Sequence, residues 1–186
     1  GDVYKRQCLY RAPLSKDFLC PVCWRQSWQG TVHGKCEKDS SLDGMVFAAN
    51  WGDKRVKKSI QAFKYQGVRD LDKPLAKLVS LGIEKNELVK LLLPGSTLCP
   101  VPLHTSRKRQ RGYNQAELLA NSLQQFVPAK SVNNLITRKY NTIPQVGLSG
   151  KTRRENVSEA FQINEEVHVG KVVFLVDDVC TTGATL

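Results

Sequence analysis

Near the end of the chain, Val172-Val173-Phe174-Leu175-Val176 runs directly into Asp177-Asp178 and then into a loop of small residues, Thr181-Thr182-Gly183-Ala184-Thr185. An uninterrupted run of apolar residues, mostly β-branched or aromatic, predicts a strand buried on both faces. That pattern belongs to a parallel sheet in an α/β domain rather than to a half-exposed hairpin. Two adjacent carboxylates at the end of such a strand are costly to desolvate, so a ligand or metal is expected there; a simple capping turn is the weaker reading. The loop lies where the next helix would begin. Backbone N–H groups and threonine hydroxyls at a helix N-terminus suit a phosphate dianion, and Gly183 allows the backbone to approach it closely. Asp177 and Asp178 are placed to accept hydrogen bonds from vicinal ribose hydroxyls, directly or through hydrated Mg²⁺. The loop lacks the lysine of a nucleoside-triphosphatase P-loop and the spacing of a dinucleotide-binding turn.

Upstream, strand-length and helix-length segments alternate, as a parallel sheet requires. Residues 44–51 predict a strand and 53–65 a helix, with Val56, Ile60 and Phe63 at helical spacing. Residues 71–81 and 84–93 predict two more helices, the first with Pro74 in its opening turn. Residues 97–102 predict a short buried strand entering a rigid turn, and 114–126 a helix with Ala116, Leu118, Leu119 and Leu123 as its core stripe. Strands are expected at 132–138 and 160–163, on either side of a polar loop.

Four of the six cysteines, Cys8, Cys20, Cys23 and Cys36, fall in the first 36 residues. With no secretion signal, a reducing cytoplasmic compartment is expected, where a metal site is favoured over disulfides. Cys20-Pro21-Val22-Cys23 and His33-Gly34-Lys35-Cys36 each place two ligands on a tight turn, and two such pairs supply a tetrahedral Zn²⁺ set. His33 is the favoured fourth ligand because it repeats the pair geometry; Cys8, at longer reach, is the alternative. A module spanning 8–40 has too little core of its own, so the metal would be structural. Residues 1–7 form a basic, patternless stretch that is set aside as unstructured or non-native. The chain reads as a fragment open at both ends.

The formal net charge is +11 over 186 residues. That excess favours polyanionic partners, and no apolar run approaches the roughly 20 residues of a membrane span. Basic groups recur at Lys54/Arg55/Lys57/Lys58, Arg107/Lys108/Arg109/Arg111 and Lys151/Arg153/Arg154, and Trp24, Trp28, Trp51, Tyr65 and Tyr113 are candidates for stacking on bases.

The strand, acid pair and Thr-Thr-Gly turn resemble the phosphoribosyl pyrophosphate loop of type I phosphoribosyltransferases. More narrowly, the chain resembles the ComF family. The residues that carry this, in order, are Cys20/Cys23/Cys36, Phe63-Lys64-Tyr65-Gln66-Gly67, Pro100-Val101-Pro102-Leu103-His104, Arg111-Gly112-Tyr113-Asn114-Gln115-Ala116, Gln145 with Leu148, and Arg154 through Asn156 to Phe161. The resemblance implies a type I phosphoribosyltransferase-like parallel sheet flanked by helices over 44–186, C-terminally truncated, behind a small zinc-binding module. It implies phosphoribosyl pyrophosphate, with Mg²⁺, held by Asp177, Asp178, Thr181, Thr182, Gly183, Ala184 and Thr185. It further implies a turn at Pro102, Leu103 and His104 facing pyrophosphate. Arg107, Arg109 and Arg111 come after that turn and are candidates for pyrophosphate or nucleic-acid phosphate; His104 receives no catalytic role. The loop holding Gln145, Arg153, Arg154 and Asn156 would close over the site. The implied function is DNA uptake in natural transformation, with single-stranded DNA and an uptake helicase or other competence proteins as partners. The alternative is an active phosphoribosyltransferase of nucleotide metabolism.

Overall fold

The computed structural model describes residues 9, 11–139 and 160–180. Helix α1 (Lys54–Tyr65) starts where Asp53 caps it: the Asp53 carboxylate accepts from the backbone N–H of Arg55 at 2.8 Å and of Val56 at 3.3 Å. The Arg55 guanidinium also grips that carboxyl and, with these N–H groups, holds it down at about 2. Along α1, Val56, Ile60 and Phe63 turn inward, as their spacing predicts. Helices α2 (Asp72–Ile83) and α3 (Glu87–Leu92) come next, with Pro74 in the first turn of α2, where its missing N–H costs nothing.

Strand β1 (Ser96–Pro100) then enters the core, fully buried along its length. A short helix, α4 (Thr105–Arg111), succeeds it and ends at Gly112, whose φ of +78° is the left-handed cap conformation that glycine adopts without strain. Asn114 caps the next helix, α5 (Gln115–Leu123). The remaining strands are β2 (Ala129–Ser131), β3 (Ile136–Arg138), β4 (Phe161–Ile163) and β5 (Val173–Val176).

The three-stranded sheet has the order β2-β1-β5 and is parallel throughout, with Thr97 opposite Val173 and Pro100 opposite Val176. Helices α2 and α5 pack on one another and α5 on β1 and β5. Their shared core gathers Phe63, Leu71, Leu75, Leu98, Leu119, Leu123 and Val176. The expected α/β class with a helix-flanked parallel sheet is therefore present. Strands β3 and β4 pair antiparallel, Arg138 opposite Phe161, and form a separate ribbon. Among the described residues no helix is long and apolar enough to cross a membrane.

Four local expectations are corrected. Residues 44–51 form no strand; only isolated bridges, Thr31 to Gly44 and Leu14 to Ala49, tie this segment down. It lies instead against α2, where a Cβ on Gly82 would stand 2.9 Å from the Ala48 Cα, so only glycine permits the contact. Of the strand expected at 132–138 only β3, from Ile136, is present, and β2 ends at Ser131, ahead of that range. Strand β5 is not covered on both faces: it is the edge of the described sheet, and Val173 is 39% exposed. Finally, α4 is a helix in a stretch read only as a basic run after a turn. Its apolar residues are too few to show a period, and the cap at His104 and the stop at Gly112 are its real determinants.

Asn86 joins the metal-ligand region to this domain. It is completely buried, its side-chain oxygen caps α3 at the Val89 N–H (2.9 Å), and its amide donates to the Gln29 carbonyl at 2.8 Å. Asn86→Ala removes both bonds and leaves the Gln29 carbonyl without that donor, so denaturant unfolding should show a loss of about 2 to 3 kcal/mol. Asn86→Asp, which keeps the cap, should lose less.

Candidate functional site

Two sites emerge from the described residues. The first is a side-chain cluster in the N-terminal region. Cys20 and Cys23 lie on one turn, closed by Trp24 in the left-handed region at φ +59°, with the Trp24 N–H bonded to the Cys20 carbonyl at 3.0 Å. His33 caps the short 3₁₀ helix Gly34–Asp39, which carries Cys36. The ligand atoms of Cys20, Cys23, His33 and Cys36 all lie within 4.8 Å of one another. Tetrahedral coordination spaces sulfurs about 3.8 Å apart for metal–sulfur bonds of roughly 2.3 Å, so one ion fits among them.

The histidine geometry makes the fit specific. Its Nε2 lies 3.0 Å from the Gln26 carbonyl, which can only accept, so Nε2 carries the proton. In the neutral ring the lone pair is then on Nδ1, and Nδ1 faces the Cys23 sulfur at 3.3 Å. A carbonyl that fixes the tautomer and aims the ring is the usual support behind a metal-binding histidine. Burial alone would raise the Cys20 thiol, but N–H groups of Cys23, His33 and Val22 bring it down to about 6; Cys36 is pushed up to about 11 by burial and by its two cysteine neighbours. Thiols crowded in this way compete for one proton-free state, which a cation would relieve. His33 thus takes the fourth place in the cluster, and the alternative, Cys8, lies outside the described residues. Among the described residues there is no second group of three or more such ligands.

The second site lies at the carboxyl end of the parallel sheet, where open α/β sheets commonly take ligands. Because β1 and β5 are parallel and in register, the segment leaving Pro100 and the acids leaving Val176 emerge side by side. Asp177 accepts from the backbone N–H of Asp178 at 2.8 Å. Burial, then the neighbouring Asp178 charge, pushes the Asp177 carboxyl up to about 7. Asp178 in turn meets Lys64 from the last turn of α1, with Nζ 2.8 Å from Oδ1 and side chains only 19% and 9% exposed. Both acids border a largely apolar cleft of about 730 Å³ that also takes in Trp24, Phe47 and Trp51.

Lys64 is the residue that sequence reasoning left without a role, although it stands in the Phe63-Lys64-Tyr65-Gln66-Gly67 segment. No local pattern links residues 64 and 178; the burial of Phe63, which fixes where Lys64 points, was the available signal. Next to it, Tyr65 is 71% exposed and the Arg111 guanidinium of α4 lies 5.2 Å from its ring centroid. Arg111 also donates to the Gln115 side-chain oxygen at 3.0 Å. A basic surface therefore adjoins the acid pair through Tyr65. Arg107 acts on Arg138 of β3, whose guanidinium is shifted down by burial first and by that like charge second. Arg109 is exposed, whereas Lys108 is engaged by Glu117 at 3.0 Å. His104, between Pro102-Leu103 and α4, accepts from the Ser106 N–H through Nδ1 at 3.2 Å, a capping role.

Tyr113 is not available for stacking on a base. It is buried against Phe63, and its hydroxyl donates to the Phe63 carbonyl. Among the other candidates, Trp28 and Tyr65 are the most exposed, Trp51 has Lys57 over its ring at 5.9 Å, and Trp24 stacks on Phe47 at 5.7 Å. Thr181, Thr182, Gly183, Ala184, Thr185, Gln145, Arg153, Arg154 and Asn156 lie outside the described residues.

The chain is 32% identical to "Competence protein F" of Haemophilus influenzae over 96% of its own length and 85% of that protein's. It is 28% identical to "DNA utilization protein YhgH" of Escherichia coli strain K12, covering 95% of this chain and 78% of that one. It is also 28% identical to "Competence protein ComFC" of Bacillus subtilis, covering 90% and 68%. No family model and no solved structure matches the chain.

Two outcomes are expected from this geometry. Elemental analysis should find about one metal ion per chain, lost in a Cys20→Ser, Cys23→Ser double variant. Between pH 4 and 7 the folded chain keeps a proton on Asp177, pushed up from 3.8 to about 7, that the unfolded chain has released. The Asp177 contribution therefore falls as pH rises through that window. Asp177→Asn should raise the Tm at pH 8, by about 3 °C or more, and change it little at pH 4 in thermal melts.

Proposed function

The chain belongs to the ComF family of competence and DNA-utilisation proteins, and from that premise we propose that it serves DNA uptake, binding phosphoribosyl pyrophosphate at its sheet end and single-stranded DNA on the adjoining basic surface. The observation that carries the reading is one juxtaposition: the paired acids after β5 and the basic helix after β1 leave neighbouring parallel strands at the same edge.

In this reading Asp177 and Asp178 accept hydrogen bonds from the ribose 2- and 3-hydroxyls, a role for which paired carboxylates are well suited. Thr181 through Thr185 hold the 5-phosphate, and the turn at Pro102, Leu103 and His104 faces the pyrophosphate. Gln145, Arg153, Arg154 and Asn156 come over the bound ligand. Mg²⁺, arriving with the pyrophosphate, neutralises part of its charge. Cys20, Cys23, His33 and Cys36 hold a structural Zn²⁺, since four N/S ligands leave no open position for catalysis.

Arg107, Arg109 and Arg111 meet DNA phosphates, and Tyr65, already paired with Arg111, offers a face for a base. An exposed aromatic beside guanidinium groups is the combination that single-strand grooves use. A phosphoribosyl transfer reaction would use the same acids and the same cation, and release of pyrophosphate in the presence of an acceptor would make the protein an enzyme.

Calorimetry on the full chain distinguishes the two halves of the reading. The Asp177→Asn, Asp178→Asn double variant should lose binding of magnesium phosphoribosyl pyrophosphate and keep binding of oligodeoxythymidylate. Reversing charge at Arg107, Arg109 and Arg111 should do the opposite. DNA affinity should fall about tenfold or more from 50 to 200 mM salt, for about three phosphates neutralised. A salt-independent affinity would contradict a phosphate-contact surface.

A further inference from the structure

Lys64 stands out because its partner is unusual. Lysines of an exposed helix face commonly point to water, but this one is turned inward at the last turn of α1 and meets an acid 114 positions further along the chain. Two contacts set the turn. Phe63 is completely buried with its ring tilted against Tyr113, whose hydroxyl donates to the Phe63 carbonyl, so the end of α1 is anchored to the segment joining α4 and α5. Gly67, at φ +68°, then takes the chain away. With Phe63 fixed inward, Lys64 is directed along the sheet edge to Asp178 and Tyr65 outward to Arg111.

We propose that Lys64 is a positioning residue of the sugar-phosphate site, its ammonium fixing the Asp178 carboxylate at the end of β5 so that a vicinal diol meets an acceptor already oriented. The inference rests on the sugar-phosphate reading above and adds to it a residue from outside the strand-and-loop segment. An ion pair this buried contributes little net stability, because desolvation offsets most of the attraction. Its consequence is geometric: a carboxylate held through one oxygen is restrained from rotating away from an incoming hydroxyl.

The electrostatics agree with the geometry. The charged groups acting on Asp177 are Asp178 of its own segment, which raises its proton affinity, and Lys64 of α1, which lowers it; burial exceeds both. With Lys64 neutralised, burial and the Asp178 carboxylate hold the Asp177 proton against the Asp178 N–H bond alone. A diol then faces a protonated neighbour and an unclamped carboxylate at neutral pH.

The test is calorimetry of the full chain with magnesium phosphoribosyl pyrophosphate between pH 5.5 and 9. For the native chain, affinity should rise with pH as Asp177 ionises. In Lys64→Gln the midpoint of that rise should move up by about 0.3 unit or more, and affinity at pH 7 should fall about twofold or more. Lys64→Arg, which keeps the charge, should restore the native midpoint and also serves where Lys64→Gln does not fold. A Lys64→Gln variant that binds more weakly with an unmoved midpoint, or binds as tightly as the native chain, overturns the positioning role and leaves the sugar-phosphate reading standing. A native chain that does not bind at any pH overturns that reading, and the role of Lys64 with it.

Discussion

Parallel pairing of β1 with β5 brings together segments that the chain keeps more than 70 residues apart, Thr97 against Val173 and Pro100 against Val176. A parallel register has one consequence that an antiparallel one would lack: both strands end at the same edge, so the segments leaving them are delivered to one place. Strand β1 runs on into a proline turn and a basic helix, and β5 into a pair of acids. Helix α5 packs on both strands, with Leu119 and Leu123 in the core they share. The acid pair, its lysine and the exposed Tyr65–Arg111 pair all depend on this arrangement.

The metal-ligand cluster answers a different need. Its region has little core: Cys20 is buried, but His33 and Cys36 are only partly covered, and its 3₁₀ helix Gly34–Asp39 buries nothing. A bound ion can supply on the order of 10 kcal/mol of folding free energy to such a module, far more than its apolar contacts. The region meets the domain through the Asn86 bond to the Gln29 carbonyl, the Arg55 bond to the Arg11 carbonyl and the close approach of Ala48 to Gly82, and Trp24 and Phe47 line the cleft beside the acids. The cluster therefore bears on the site through shape rather than chemistry.

Much of this was legible in the residues because it is local. The CxxC and HxxC pairs, Asp53 and Asn114 as helix starts, the stripe on α5 and the apolar run before Asp177 each depend on neighbours in sequence. The features that escaped depend on partners far away. Residues 44–51 have strand composition, but among the described residues they pair only through isolated bridges, and the segment lies against Gly82 instead. Helix α4 has no apolar face to read, only its ends. Tyr113 has the composition of a surface aromatic beside arginines, yet a carbonyl at position 63 captures its hydroxyl. Lys64 is invisible as a site residue for the same reason: its meaning lies in Asp178.

The carboxyl end of β5 is the place proposed for a phosphorylated sugar. Backbone amide chemical shifts of the isotope-labelled chain, tracked during titration with magnesium phosphoribosyl pyrophosphate, test it most directly. The largest changes should fall at Asp177, Asp178 and Lys64 and in the turn after Pro100, with the amides around Cys20 and Cys36 unmoved. Saturable changes centred elsewhere, or none at millimolar ligand, would contradict it.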